Sequence, residues 1–276
     1  MAQNSDTYIF TRDYLDNTRI NLQHYLWVES FGYLVHPKIP LDRNSLRIAD
    51  VGTGTGIWLT SLGAKLPPSV QLDGLDVSFH AAPPSTCLPA NVRFQHWDIK
   101  QPPPSEIVGV YDVVHLRNFL FVLGQDDLPG VTANISKLLK PGGYVQWGEP
   151  DMASWRIAKT KPDCKTAALE KLFRQTQAQD KRLESPWVSH LAGHLGEAGF
   201  DAIESDVRDI PLHLELATQE CNLLLPEQVM RKSGKAQEGS EKMALLRELL
   251  QEVAAETREG AFWAFTRHTV IGRKPE

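Results

Sequence analysis

The chain has 276 residues, 42% hydrophobic and 23% charged, with a formal net charge of −5 and a pI near 6.0. That balance suits a globular protein with material for a sizeable core. It disfavours a nucleic-acid partner, because no block of Lys and Arg runs along the chain. No apolar run reaches the length of a membrane span, and the opening MAQNSDTYIF lacks the basic and apolar regions of a signal peptide. Cys87, Cys164 and Cys221 are scattered, without C-x-x-C spacing, which points to reduced thiols and a cytoplasmic setting.

Residues 11–35 carry apolar side chains at helical spacing and predict one or two helices. Tyr8, Tyr14, Arg19, Gln23, His24 and Tyr25 are the polar and aromatic residues of this region, and His24 is the first choice among them to face a ligand. Residues 47–59, RIADVGTGTGIWL, read as a short apolar strand ending in Asp50, then Gly52, Gly54 and Gly56, then the start of a helix. Glycines at alternate positions let the backbone turn sharply and let a ligand approach. In a strand–loop–helix context this is a nucleotide cradle. It departs from the dinucleotide fingerprint G-x-G-x-x-G, since the third glycine comes one residue early. The preceding carboxylate would repel a pyrophosphate and suits a cation such as an ammonium or a sulfonium.

The helix over residues 57–66 stops at Pro67-Pro68, and residues 70–78 predict a second strand ending in Asp76. That acid stands about 20 residues past the glycine loop, where nucleotide-binding sheets place the carboxylate that accepts the ribose hydroxyls. Residues 79–90 hold too many prolines for a long helix. A third strand over 91–99 ends at Asp98 and Ile99, with Trp97 beside them. A fourth, over 111–123, is continuously apolar, as in a strand buried on both faces. His115, Arg117 and Asn118 interrupt it at the carboxyl end, where sites on parallel sheets open. An amphipathic segment over 126–140 leads through Lys-Pro-Gly-Gly into a fifth strand that brings Trp147, Glu149 and Asp151 to the same rim. Helices are expected over 165–183 and 187–198, and a sixth strand over 200–212. An insertion follows over 213–260, with two helical stretches around the exposed-loop run RKSGKAQEGSEK. The last strand, over 261–275, carries Phe262, Trp263 and His268.

The segment D-V-G-T-G-T-G resembles motif I of the class I S-adenosylmethionine (SAM)-dependent methyltransferases, and Asp76, Asp98 and Lys-Pro-Gly-Gly follow in that superfamily's order. The resemblance covers about residues 46–151. More narrowly, TRINLQHYLW, VHLRNFLFVL and LKPGGYVQWGEPD look like fungal secondary-metabolite methyltransferases of the LaeA-like and UbiE-like kind. It implies an α/β fold: a Rossmann-like, seven-stranded, mostly parallel sheet with helices on both faces. To this it adds an N-terminal helical lid (1–44), a SAM-binding core (45–151), and a remainder (152–276) whose helical insert caps the substrate pocket before a last, antiparallel strand.

For the site it implies Asp50, Gly52, Thr53, Gly54, Gly56 and Arg117 around the methionine part of SAM, Asp76 and Val77 at the ribose, and Asp98 and Ile99 at the adenine. Tyr14, Trp147 and Glu149 are the expected substrate-binding residues, and His24 or His115 the base, with His190, His194 and His268 open as alternatives. The implied activity is transfer of a methyl group from SAM to an oxygen or nitrogen of a small natural-product-like molecule, leaving S-adenosylhomocysteine (SAH). It needs no metal, nucleic acid or membrane, and the protein would be a monomer or homodimer. Two alternatives keep the same glycine loop: a SAM-binding fold that catalyses a non-methylating step, and a non-catalytic SAM-binding regulator. An NAD-type oxidoreductase is disfavoured by the glycine spacing and by Asp50.

Overall fold

A computed structural model describes residues 9–43, 45–177, 184–232 and 239–276. Tyr8, the end of the helix expected over 165–183, and part of the RKSGKAQEGSEK run lie outside the described residues. Seven strands form one sheet: β1 (Arg47–Val51), β2 (Gln71–Asp76), β3 (Val92–His96), β4 (Tyr111–Arg117), β5 (Leu139–Pro150), β7 (Asp201–Arg208) and β9 (Arg267–Arg273), in the order β3-β2-β1-β4-β5-β9-β7. β1 to β5 pair in parallel. β9 is antiparallel to both β5 and β7, the inserted last strand that the resemblance implied. The order reverses between β1 and β4, which opens a crevice above their carboxyl ends.

Strand alternation sorts the core into two layers. Ile48, Leu72, Val113 and Ile271 face Trp58, Leu59 and Leu62, which belong to or flank α2 (Ile57–Gly63). Ala49, Leu75, Val114 and Val145 face the other way, toward α3 (Leu128–Leu138) and α5 (Leu191–Glu197). Helices therefore cover both faces. The N-terminal region forms a single helix, α1 (Tyr14–Phe31). Asp13 caps its start by accepting from the amides of Leu15 and Asp16, both at 3.0 Å, and Gly32, left-handed at φ 75, ends it.

Several expected boundaries move. β4 stops at Arg117, because Asn118 adopts a left-handed φ of 64 and a 3-10 turn, Phe119–Phe121, follows. β3 stops at His96, which leaves Asp98 in the loop beyond. The expected last strand is two. β8 (Ala261–Ala264) pairs with β6 (Arg156–Lys159) in a separate two-stranded sheet, and Thr266, bonded to Asp151 and Ser154, redirects the chain into β9. Among its described residues the insertion holds three helices, α6 (Leu212–Asn222), α7 (Leu225–Lys232) and α8 (Glu241–Arg258), where two were expected. α8 packs with α4 (Ala167–Gln177) and Trp263 around Leu169, Leu172, Leu249 and Val253 in a third apolar cluster.

Candidate active site

The glycine loop turns the chain from β1 into α2 with Gly52 at φ 65 and Gly54 at φ 54. A Cβ at Gly52 would stand 2.7 Å from the Phe119 ring, so a side chain there would drive apart the two loops that face each other across the crevice. The Gly54 amide donates to Asp76 Oδ2 at 2.9 Å, and the Ser78 amide donates to Asp76 Oδ1 at 3.1 Å. The carboxylate that ends β2 is thus clasped to the loop that follows β1. Burial raises the Asp76 pKa, while those amides and Arg12 pull against it.

Beneath the loop, Asp50 Oδ2 accepts from the Thr53 hydroxyl at 2.8 Å, and its Oδ1 lies 2.7 Å from His115 Nδ1. The His115 ring stacks on Trp58 with centroids 3.9 Å apart. Burial lowers the His115 pKa against the pull of Asp50, which keeps the imidazole neutral near pH 7. A neutral ring beside a carboxylate donates its Nδ1 proton to Asp50, so Nε2 is left as the basic nitrogen.

Arg117 ends β4 with its guanidinium 5.4 Å from the Trp27 ring centroid, and burial lowers its pKa to about 10 against Asp50 and Glu149. It donates to His24 Nδ1 at 3.1 Å, and His24 Nε2 lies 3.1 Å from the Ser61 hydroxyl. Burial, then Arg117 and His115, hold the His24 pKa down to about 3. Glu149 is fully buried. Its carboxylate accepts from the amides of Phe119 at 2.7 Å and Leu120 at 3.0 Å and from Trp147 Nε1 at 2.7 Å, and burial pushes it up to about 7.

A cleft opens beside these groups. Its wall takes Asp50, Gly52, Thr53, Gly54, Asp76, Val77, Asp98, Ile99, His115 and Arg117 from the expected site residues. Other expected residues stand elsewhere. Gly56 caps α2 at φ 69 behind the loop. Tyr14 is 75% exposed in the first turn of α1 and does not line the cleft. Trp147 and Glu149 are not in its lining; Glu149 holds the turn after β4 and accepts from Trp147. His24 has both ring nitrogens engaged and 1% exposure, which suits positioning of Arg117 and not proton transfer to a substrate. The lining runs from Phe10 to Val122, so no described residue of the insert lines the cleft, and α6 packs on α1.

Residues not expected from sequence also line the wall, among them Phe10, Arg12, Asp16, Ile20, Trp58 and Phe121. Asp16, Arg19, Ile20 and Gln23 follow the i, i+3, i+4, i+7 spacing of one helix face, a signal present in the sequence.

A family described as a methyltransferase domain matches residues 49–145. Methyltransferase grgD from a Penicillium species is 30% identical over 289 residues, which span 94% of this chain and 93% of that protein. The chain belongs to the methyltransferase family. N-methyltransferase tcpN from Claviceps purpurea is 36% identical over 146 residues, about half the length of each protein. A crystal structure of phosphoethanolamine N-methyltransferase 2 from Haemonchus contortus with SAM matches 96% of this chain and 60% of that one, at 15% identity and a TM-score of 0.50, a likeness of fold.

The enzyme is a class I SAM-dependent methyltransferase acting on a small molecule. The cleft fits its cofactor on its own terms. Gly52 leaves space that a Cβ would fill, and Asn118 Oδ1, buried at the cleft wall, has no hydrogen-bond partner among the described residues. No helix among the described residues is long and apolar enough to cross a membrane.

Proposed function

We propose that the methyl acceptor is an oxygen or nitrogen of a natural-product-like molecule and that His115 is the base. Gly52, Thr53, Gly54 and Arg117 would hold the methionine part of SAM above Asp50. Asp76 and Val77 would take the ribose, and Asp98 and Ile99 the adenine. The fungal relatives named as N-methyltransferases, tcpN among them, support nitrogen as one acceptor atom.

Bound SAM supplies a methyl carbon made electrophilic by its sulfonium. The protein's share is to align the acceptor, exclude water and take a proton; alignment alone can contribute several kcal/mol, on the order of 7–11 in favourable cases. The observation that carries the base assignment is the Asp50–His115 pair on the cleft wall. Asp50 fixes the tautomer, and a pKa lowered by burial keeps Nε2 unprotonated. Arg117, fixed by His24, holds positive charge at the same rim without losing its proton near pH 7. The acidic pI supports the absence of a nucleic-acid partner, and the three free thiols support a cytoplasmic location. A monomer or homodimer remains the proposed state.

The test is incubation with methyl-labelled SAM and a panel of phenols, alcohols and amines, with the labelled product located by mass and NMR. Label on oxygen or nitrogen is the expected result, and label on carbon or sulfur overturns the proposal. Asp76→Ala should weaken SAH binding in calorimetry at least tenfold, the scale of a lost charged hydrogen bond of about 1.5 kcal/mol or more. Unchanged affinity in the folded variant removes Asp76 from the ribose site.

A further inference from the structure

His115 and Trp58 line the cleft together, and both are buried. Their rings are parallel to within 1°, with centroids 3.9 Å apart. Asp50 Oδ1 takes the Nδ1 proton of His115 at 2.7 Å, and Asp50 is itself fixed by the Thr53 hydroxyl at 2.8 Å. The indole has anchors of its own. Trp58 Nε1 donates to the Leu34 carbonyl, just past α1, at 3.2 Å. That carbonyl also accepts from Gln146 Nε2 at 3.0 Å, and Gln146 Oε1 accepts from the His36 amide at 2.7 Å. Gln146 stands beside His115 in the register of β4 and β5.

A single hydrogen bond decides which ring nitrogen is protonated, but its angular tolerance leaves the ring plane free to rock. The χ2 torsion of histidine is broad and does not stop that motion. A flat ring in parallel contact does. A base has to be held within about 0.5 Å and 10–20° of its productive geometry. We propose that Trp58 is the positioning residue of the His115 base: its indole fixes the imidazole plane, so that Nε2 is presented to the acceptor, and it keeps water from that face. This role rests on the reading of His115 as the base. Dryness matters because the groups around the ring oppose one another. Asp50 favours the imidazolium, whereas burial and Arg117 disfavour it, burial foremost. His24 is neutral at ordinary pH, with its pKa held down to about 3. An aliphatic side chain in place of the indole opens the imidazole face to water, so Asp50 prevails and Nε2 takes up a proton.

The test is a pH titration by NMR of the SAH-saturated full-length protein carrying isotope-labelled histidine, with the His115 signals identified by their loss in His115→Gln. Trp58→Leu and Trp58→Phe both lose the bond to Leu34, but only phenylalanine keeps a flat ring. In the parent and in Trp58→Phe, His115 should hold its proton on Nδ1 at neutral pH. In Trp58→Leu it should titrate higher by about one pH unit or more. Methyl transfer at saturating SAM, to an acceptor from the phenol, alcohol and amine panel, should fall about tenfold or more in Trp58→Leu, because a misplacement of about 1 Å can cost about a hundredfold. Trp58→Phe should recover most of that loss. Trp58→Met provides the same comparison if the leucine variant fails to fold. An unaltered His115 titration in the folded leucine or methionine variant, or an equal loss of turnover in the phenylalanine and leucine variants, overturns the positioning role. Turnover in His115→Gln equal to that of the parent would instead overturn the base reading, a separate result.

Discussion

His24 illustrates how a single buried residue ties stability to pH. Its ring accepts from Arg117 and meets Ser61, which is possible only while it is neutral, and its folded pKa lies near 3 against an ordinary 6.5. The unfolded chain therefore binds the proton first, and the stability contributed by neutral His24 is fully present above about pH 6.5 and lost as pH falls toward 3. His115 acts in the same direction. Unfolding free energy should fall below about pH 6.5 by up to about 1.4 kcal/mol per pH unit for each ring. Denaturant titrations across that range on His24→Gln should show a shallower slope than the parent. An equal slope would mean that His24 is protonated in the fold.

At the scale of elements, the turn after β4 is held from below. Asn118 is left-handed, and the 3-10 turn Phe119–Phe121 directs its first two amides at the Glu149 carboxylate of β5. That turn carries Phe119 and Phe121 into the cleft wall, so an acid outside the lining sets the shape of that wall. Glutamine at 149 has one acceptor oxygen in place of two for three donors, the amides of Phe119 and Leu120 and Trp147 Nε1. Leaving one buried amide unsatisfied costs about 1–3 kcal/mol. Glu149→Gln should lower stability by that amount and weaken SAH binding through displacement of the turn. Full SAH affinity in a destabilised variant would show that the turn does not shape the cofactor site.

For the whole molecule, the cleft is a junction. It takes residues from α1, from the loops after β1, β2 and β3, and from the turn after β4, so a ligand there braces elements far apart in the chain. A ligand that binds only the folded state at a hundredfold excess over its Kd adds about 2.7 kcal/mol. In a chain of this size that should raise the melting temperature by about 5–10 °C. Tryptophan fluorescence scans with SAH should show the shift and scans with NAD should not. A shift with NAD would contradict the reading of the glycine loop.

The order of the first five strands, the glycine turn and the acid that ends β2 were legible in sequence because each depends on local chemistry: apolar alternation, glycine at left-handed positions, proline as a stop. The motif around Asp50, Gly52 and Gly54 and the acid at Asp76 led directly to the family. Tertiary structure alone decided which polar groups reach the cleft. His24, Trp147 and Glu149 read as site residues, but packing turns them to Ser61, Arg117 and the turn after β4. Tyr14 faces solvent, while Asp16, two residues on, is fully buried at the wall. A helix face is periodic in sequence, but its direction is set by what it packs against, here α2 and α6. Local pattern therefore determined the fold and the cofactor loop, and long-range packing determined the rest of the site.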